Sequence, residues 1–300
     1  MLLRASAMSR SPFAEWEGRV NGGTRTMSAL FISIYFLELV GASAVTALGI
    51  VASRILDIDW GRSGPLWFAG YVLVYNLDRL YSDPADATNT PLRSQWSPRL
   101  RPWRMMLVWV SGAFLALWPV ITGRVWMLCP FAVAVGALYF YSRPIPGARV
   151  RLKDLPYLKS LLAPAVVTVI LVLWPAFESG KLGEPGVWLV FVWIFLILTI
   201  NALIFDYRDI AGDRLVGTKT IAVLLGPNGT RMLLAVLAAA LVAISMQLAW
   251  LRLAGPLMPI LLTLGCAGLL RSLKYRMPPS LLSLLADVLL FLPALGEWLG

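Results

Sequence analysis

The chain has 300 residues, 59% of them hydrophobic and only 14% charged, with a formal net charge of +10. A water-soluble domain cannot hide that much apolar surface, because its polar share is too small to cover the outside. The sequence contains no histidine, which excludes imidazole bases, imidazole-ligated haem and most zinc centres.

Nine apolar runs follow in chain order, at about 27–54, 63–82, 103–122, 125–142, 155–176, 186–206, 230–251, 254–271 and 280–298. Runs of this length match a hydrocarbon layer of ~30 Å. They are continuous rather than alternating, so they read as helices and not as barrel strands. The expected fold is an all-α integral membrane protein with nine transmembrane helices. A basic tail, 1–26, precedes a single transmembrane domain, 27–300. The tail, MLLRASAMSRSPFAEWEGRVNGGTRT, lacks the apolar core of a secretion signal.

Twenty Lys and Arg lie in the tail and after runs two, four, six and eight; five lie in the other connections, and Arg79 sits inside run two. The positive-inside rule then places the tail and the long connections in the cytoplasm. The C-terminus falls on the opposite side, and the basic tail suits a bacterial inner membrane. Cys129 and Cys266 fall within apolar runs and read as small buried hydrophobes.

Run two ends in YNLDRLYSDPAD and run six in FDYRDIAGD, both on the cytoplasmic side. On one helix Asp206 and Asp213, seven apart, share a face, with Asp209 about 60° from Asp206. Carboxylates this close repel one another. Magnesium would resolve the repulsion, since it takes a few carboxylates together with phosphate oxygens. A solvated helix end would carry the same aspartates without any function. In the first cluster Asn76 and Asp83 repeat the seven-residue offset, Asp86 follows beyond Pro84, and Asp78 points away on an ideal helix.

Basic residues surround these clusters. YSRPIPGARVRLKDLPYLK supplies Arg143, Arg149, Arg151, Lys153 and Lys159, and Arg214 and Lys219 follow the second cluster. They suit a diphosphate bridged by magnesium, although cytoplasmic loops are basic for insertion reasons alone. Tyr75, Tyr141 and Tyr207 are candidates for the wall of a cavity. Glu38, Arg79 and Asp287 are ionisable groups within apolar runs, where such groups default to function. Glu38 is placed to contact an acceptor headgroup.

The stretch DYRDIAGDRLVGTKTIAVLLG, from Asp206 to Gly226, resembles the second aspartate-rich motif of the UbiA-type intramembrane prenyltransferases. It has the spaced aspartates, the basic residue, the Gly-Lys-Thr segment and the Leu-Gly close. Nine spans, inward acidic motifs and Tyr141-Ser142 opening a basic loop with Lys153 are similar to that family too. The resemblance implies a helical bundle around a central cavity, where two aspartate motifs hold Mg2+ and grip the diphosphate of a polyprenyl donor. Carried over residue by residue, Asp206, Asp209 and Asp213 match the second motif; Asn76 leads the first, with Asp78 and Asp83 as its acids. Asp78, Asp206 and Lys153 take the catalytic parts, and Asn76, Lys219, Arg143, Tyr141 and Tyr207 belong to the binding region. The resemblance also places run nine, with Asp287, at the periphery of the bundle.

The first motif departs from the family pattern N-x-x-x-D-x-x-x-D. Positions four and eight after Asn76 are Leu80 and Pro84, and the loop ADATNTPLRSQW lacks the usual basic stretch with histidine. The expected activity is magnesium-dependent transfer of a polyprenyl group from its diphosphate to a membrane-associated acceptor. Aromatic quinone precursors, a tetrapyrrole propionate and glycerol or sugar phosphates all qualify as acceptors, and no nucleic acid is implied. A terpene cyclase would use the same diphosphate site. A non-catalytic transporter would instead spread its acids along a path through the bundle.

Overall fold

The computed structural model describes residues 30–59, 63–80, 88–142, 152, 155–275 and 279–300. Its main helices are α1 (Leu30–Phe36), α2 (Leu39–Ile55), α3 (Gly64–Arg79), α4 (Pro91–Ile121), α5 (Leu128–Ser142), α6 (Leu158–Glu178), α7 (Pro185–Leu215), α8 (Ile221–Trp250), α9 (Leu257–Lys274) and α10 (Pro279–Leu299). No strand occurs among the described residues. Six helices, α4 and α6 to α10, are long and apolar enough to cross a membrane, or seven spans if α1 and α2 count as one. Helices α3 and α5 have 16 and 15 described residues, fewer than the ~20 of a straight crossing.

Helix α7 is the hub. Apolar on all sides, it packs against α6, α8, α10 and α2, and buries Trp193, Ile194, Ile197, Leu203 and Ile204 completely. The Trp193 indole donates to Ser245 Oγ at 2.9 Å, so even its polar edge is satisfied inside the bundle. Consecutive pairs α2–α3, α3–α4, α8–α9 and α9–α10 pack together, and α10 returns against α2 to close the arrangement. The last apolar run is therefore not peripheral. Its helix buries Leu282, Ala286, Leu289 and Leu290, and Asp287 with them.

Several boundaries differ from the apolar runs, among them the start of α8 at Ile221 rather than 230. Helix α4 begins at Pro91 rather than near 103; Arg93 and Arg104 turn inward, while Arg99 and Arg101 are exposed. Arg104, 1% exposed, donates to Ser97 Oγ at 2.7 Å and to the Phe36 carbonyl at 3.4 Å. Helix α7 continues beyond 206 to Leu215 and carries the aspartates on an unbroken helix.

The first run is broken. Its two pieces, α1 and α2, meet at 59°, and Glu38 at the junction adopts φ 63°, ψ 18°, the left-handed region that non-glycine residues seldom occupy. The break frees carbonyls within the apolar layer, where irregular backbone survives only if protein groups satisfy it or it lines a cavity. Asn76 Nδ2 donates to the Leu37 carbonyl at 2.9 Å, and Arg104 reaches that of Phe36. A second irregularity lies in α6, where a π-turn spans Val169–Leu173 just after Thr168 donates to the Pro164 carbonyl at 2.6 Å.

Candidate active site

A cavity of about 330 Å³ is lined by side chains from α2 to α7 and α10 and by Glu38 at the break. Its acidic end is made by the last turns of α7. Asp206 and Asp213 are 5% and 2% exposed, and both line the cavity together with Asp209.

The first turn of α6 supplies partners for two of these acids. Ser160 Oγ donates to Asp206 Oδ2 at 2.5 Å and accepts the Ile221 N–H at 3.2 Å. Lys159 Nζ donates to both carboxylate oxygens of Asp213, at 2.6 and 2.7 Å. Asp209 is gripped at two points by its neighbour Arg208, through Nε at 2.7 Å and Nη2 at 2.8 Å. The same guanidinium donates to Ser283 Oγ on α10 at 2.5 Å and lies over the Phe205 ring. Buried charge is tolerated only when paired and hydrogen-bonded, and each of these aspartates meets that condition.

Backbone contacts bring the segments together. The Tyr157 N–H donates to the Lys219 carbonyl at 3.2 Å, which sets the start of α6 beside the start of α8. Across the cavity mouth, Asn89 Oδ1 accepts the Gly212 N–H at 2.9 Å. A Cβ at position 212 would come within 2.3 Å of that oxygen, so the approach requires glycine.

The opposite end is looser. Glu38 Oε1 lies 3.6 Å from Arg79 Nε and 3.7 Å from Arg93 Nη1, beyond hydrogen-bond length. Tyr35, Asn201 and Asp287 line the same region. Tyr71 and Tyr75 stack there with ring centroids 4.0 Å apart. Beside the cavity, an apolar annexe of about 70 Å³ is lined by Leu66, Trp67, Gly70, Ile170 and Leu171. It shares Val45, Tyr71, Tyr75, Val135 and Ala163 with the cavity wall, so the two spaces adjoin.

The structure thus brings Asp78, Asp206, Asp209, Asp213 and Tyr141 together around one cavity, with Glu38, Tyr75, Arg79, Lys159 and Asp287. Asn76 is fully buried but does not line the cavity; its amide nitrogen also donates to the Val72 carbonyl at 2.9 Å, and Oδ1 has no hydrogen-bond partner. Tyr207 is half-buried outside the lining and donates to the Leu273 carbonyl at 3.4 Å. The Lys219 side chain is exposed and outside the lining as well. Asp83, Asp86, Arg143, Arg149, Arg151 and Lys153 lie outside the described residues.

Sequence reasoning missed Asn89, Arg93, Ser160 and Arg208. Arg208 was discoverable, since it stands inside the motif next to Asp209. The others meet their partners only across the fold, and no local pattern marks them.

Among the described residues, no group of three or more Asp, Glu, Cys or His side chains could hold a metal ion by itself. The acids are instead hard oxygen donors spread along one wall. That distribution fits magnesium, which uses one or two protein carboxylates and completes its shell with water and phosphate oxygens.

The family model of the UbiA prenyltransferases matches residues 43–280 of the chain. No curated protein and no solved structure matches it.

Proposed function

The chain belongs to the UbiA prenyltransferase family, and from that premise we propose that it moves a polyprenyl group from a polyprenyl diphosphate to a membrane-associated acceptor, in a magnesium-dependent reaction. One observation carries this reading: buried carboxylates and cations line one end of a cavity whose wall, through Tyr71 and Tyr75, is shared with an apolar annexe. Such a space suits a molecule with a diphosphate head and a hydrocarbon tail.

The acidic end receives the head. Lys159 and Arg208 exchange part of their hold on Asp213 and Asp209 for diphosphate oxygens, which draws the head against α7. Arg143, Lys153 and Lys219 add positive charge along its approach. Magnesium arriving with the diphosphate, held by Asp78, Asp83, Asp206, Asp209 and Asp213, would neutralise charge on the leaving group, while Asn76 serves the break in the first span instead. Ser160 fixes the orientation of Asp206 through their short hydrogen bond. Tyr71, Tyr75 and Tyr141 present aromatic faces to the allylic carbon and keep water from it. In this reading α3 and α5 also cross the membrane, which brings the bundle to nine spans. The acidic end then faces the cytoplasm of a bacterial inner membrane, with the C-terminus opposite.

A second reading, an intramembrane terpene cyclase, draws support from the aromatic wall: Tyr35, Tyr71, Tyr75, Tyr139 and Tyr141 all line the cavity. One assay separates the two. Diphosphate release from geranylgeranyl diphosphate is followed with magnesium, with and without candidate acceptors, beside an Asp206→Ala control. Release that needs an acceptor is expected. Release without one, giving a hydrocarbon or alcohol, selects the cyclase. Silence with donors of every length, joined to absent donor binding, removes the enzymatic reading.

A further inference from the structure

The two cations that pair with aspartates of α7 are held in different ways. Arg208 is tied down: it grips Asp209 through Nε and Nη2, donates to Ser283 Oγ on α10 and lies over the Phe205 ring. The hydrogen bonds of the Lys159 ammonium, among the described residues, go to Asp213 alone, one to each carboxylate oxygen. The Lys159 side chain is 22% exposed and that of Asp213 only 2%, and both line the cavity. The acid is sealed, and its cation is not.

The backbone under Lys159 is anchored on both sides. Tyr157 takes the left-handed conformation at φ 65°, and its N–H donates to the Lys219 carbonyl. The next residue, Ser160, joins Asp206 to the Ile221 N–H through its hydroxyl. A fixed backbone bearing a flexible four-carbon arm lets the ammonium change partners while the helix stays still.

Both oxygens of Asp213 are therefore taken by a compact point charge, where a hard divalent ion would need them. A second cation at that carboxylate would meet the ammonium at close range, in surroundings that screen charge weakly. Asp206 carries no such block, because its partner Ser160 is uncharged. A diphosphate removes the conflict. Its oxygens accept the lysine N–H groups in charge-assisted hydrogen bonds, so the ammonium passes from one anion to another and no charge is left bare.

We propose that Lys159 is a place-holding cation that makes metal binding at Asp213 conditional on the diphosphate. In the empty site Lys159 satisfies Asp213 and excludes a divalent ion. With the head present it moves to phosphate and leaves Asp213 open as a ligand. The proposal rests on the prenyltransferase reading and adds an order to it: metal reaches Asp213 with the diphosphate and not before.

The test uses the full chain in nanodiscs of uncharged lipid, with Mn2+ as the metal probe read by electron paramagnetic resonance. Binding of geranylgeranyl thiolodiphosphate, a slow-reacting donor analogue, is measured in parallel. Lys159→Met is expected to bind Mn2+ alone about tenfold or more tightly than the unmodified chain, and to regain with the metal part of the Tm it loses. Adding Asp213→Asn should abolish both effects. Lys159→Arg keeps the ion pair and with it the fold, so it should exclude Mn2+ alone as the unmodified chain does. Its fork matches a carboxylate better than an ammonium does, so the mutual strengthening of metal and analogue should fall about fivefold or more. Unchanged Mn2+ affinity in Lys159→Met, a gain that survives Asp213→Asn, or tighter Mn2+ binding by Lys159→Arg each overturns the proposal. Absent binding of the analogue to the unmodified chain is a separate result. It removes the prenyltransferase reading, while the Mn2+ comparison still decides whether Lys159 guards Asp213.

Discussion

The two ends of the cavity handle buried charge in opposite ways. At the end of α7 every aspartate has its own short partner: Ser160 for Asp206, Arg208 for Asp209, Lys159 for Asp213. At the break in the first span, one glutamate is shared between two arginines at 3.6 and 3.7 Å. The first arrangement is complete, so a ligand must displace a partner to enter. The second is incomplete, so a ligand can enter by filling what is missing. This contrast assigns a multiply charged head, strong enough to exchange partners, to the acidic end.

Breaking the acidic end should have the largest effects. Asp206→Asn keeps the hydrogen bond to Ser160 within reach but removes the charge that gathers cations around the diphosphate. Diphosphate release should fall on the order of 10²-fold or more, a typical loss for one preorganised electrostatic group. Next comes Lys159→Met, which leaves Asp213 buried without its cation. We expect a loss of about 3–5 kcal/mol in stability, seen as a lower Tm, with much of it recovered when Asp213→Asn is added.

Smaller effects sharpen the comparison. Gly212→Ala places a methyl group 2.3 Å from Asn89 Oδ1, so the clasp over the acidic end must open. The cost should be about 1–3 kcal/mol, relieved by Asn89→Ala in the same chain, and a double-mutant cycle would read the coupling. The mildest change is Gly70→Phe. A side chain there has room at its base, since nothing lies within 4 Å of a Cβ built at Gly70, and its ring would occupy the annexe. Competition between geranyl and geranylgeranyl diphosphate should shift about tenfold toward the shorter donor, the lower end of what one methylene is worth in an apolar pocket.

What the sequence made legible follows from how local each signal is. The apolar runs locate the bundle because membrane crossing is dictated by composition over some twenty residues. The second aspartate motif is readable because α7 stays helical through Asp213, so sequence spacing translates directly into a shared face. The pairings were less readable: Lys159 stands among the candidate basic residues but Ser160 does not, and only the docking of α6 against α7 and α8 assigns them to Asp213 and Asp206.

The broken first span is the clearest failure of local reasoning. No proline or glycine stands at Leu37–Glu38, so no local breaker announces the 59° bend. It is stabilised from outside by Asn76 and Arg104, the former expected to serve the acidic motif and the latter hidden at the start of an apolar run. Asp287 was placed at the edge for a similar reason. Nothing in its own run shows that α10 turns back to pack on α2.

One titration tests the division of labour most directly: the affinity of geranylgeranyl diphosphate with magnesium, measured in nanodiscs for the unmodified chain, Asp206→Asn and Glu38→Gly. If the acidic end holds the head and the loose end holds something else, Asp206→Asn binds the donor at least about tenfold more weakly, while Glu38→Gly binds it like the unmodified chain. Equal losses in the two variants, or full affinity in Asp206→Asn, would contradict that division.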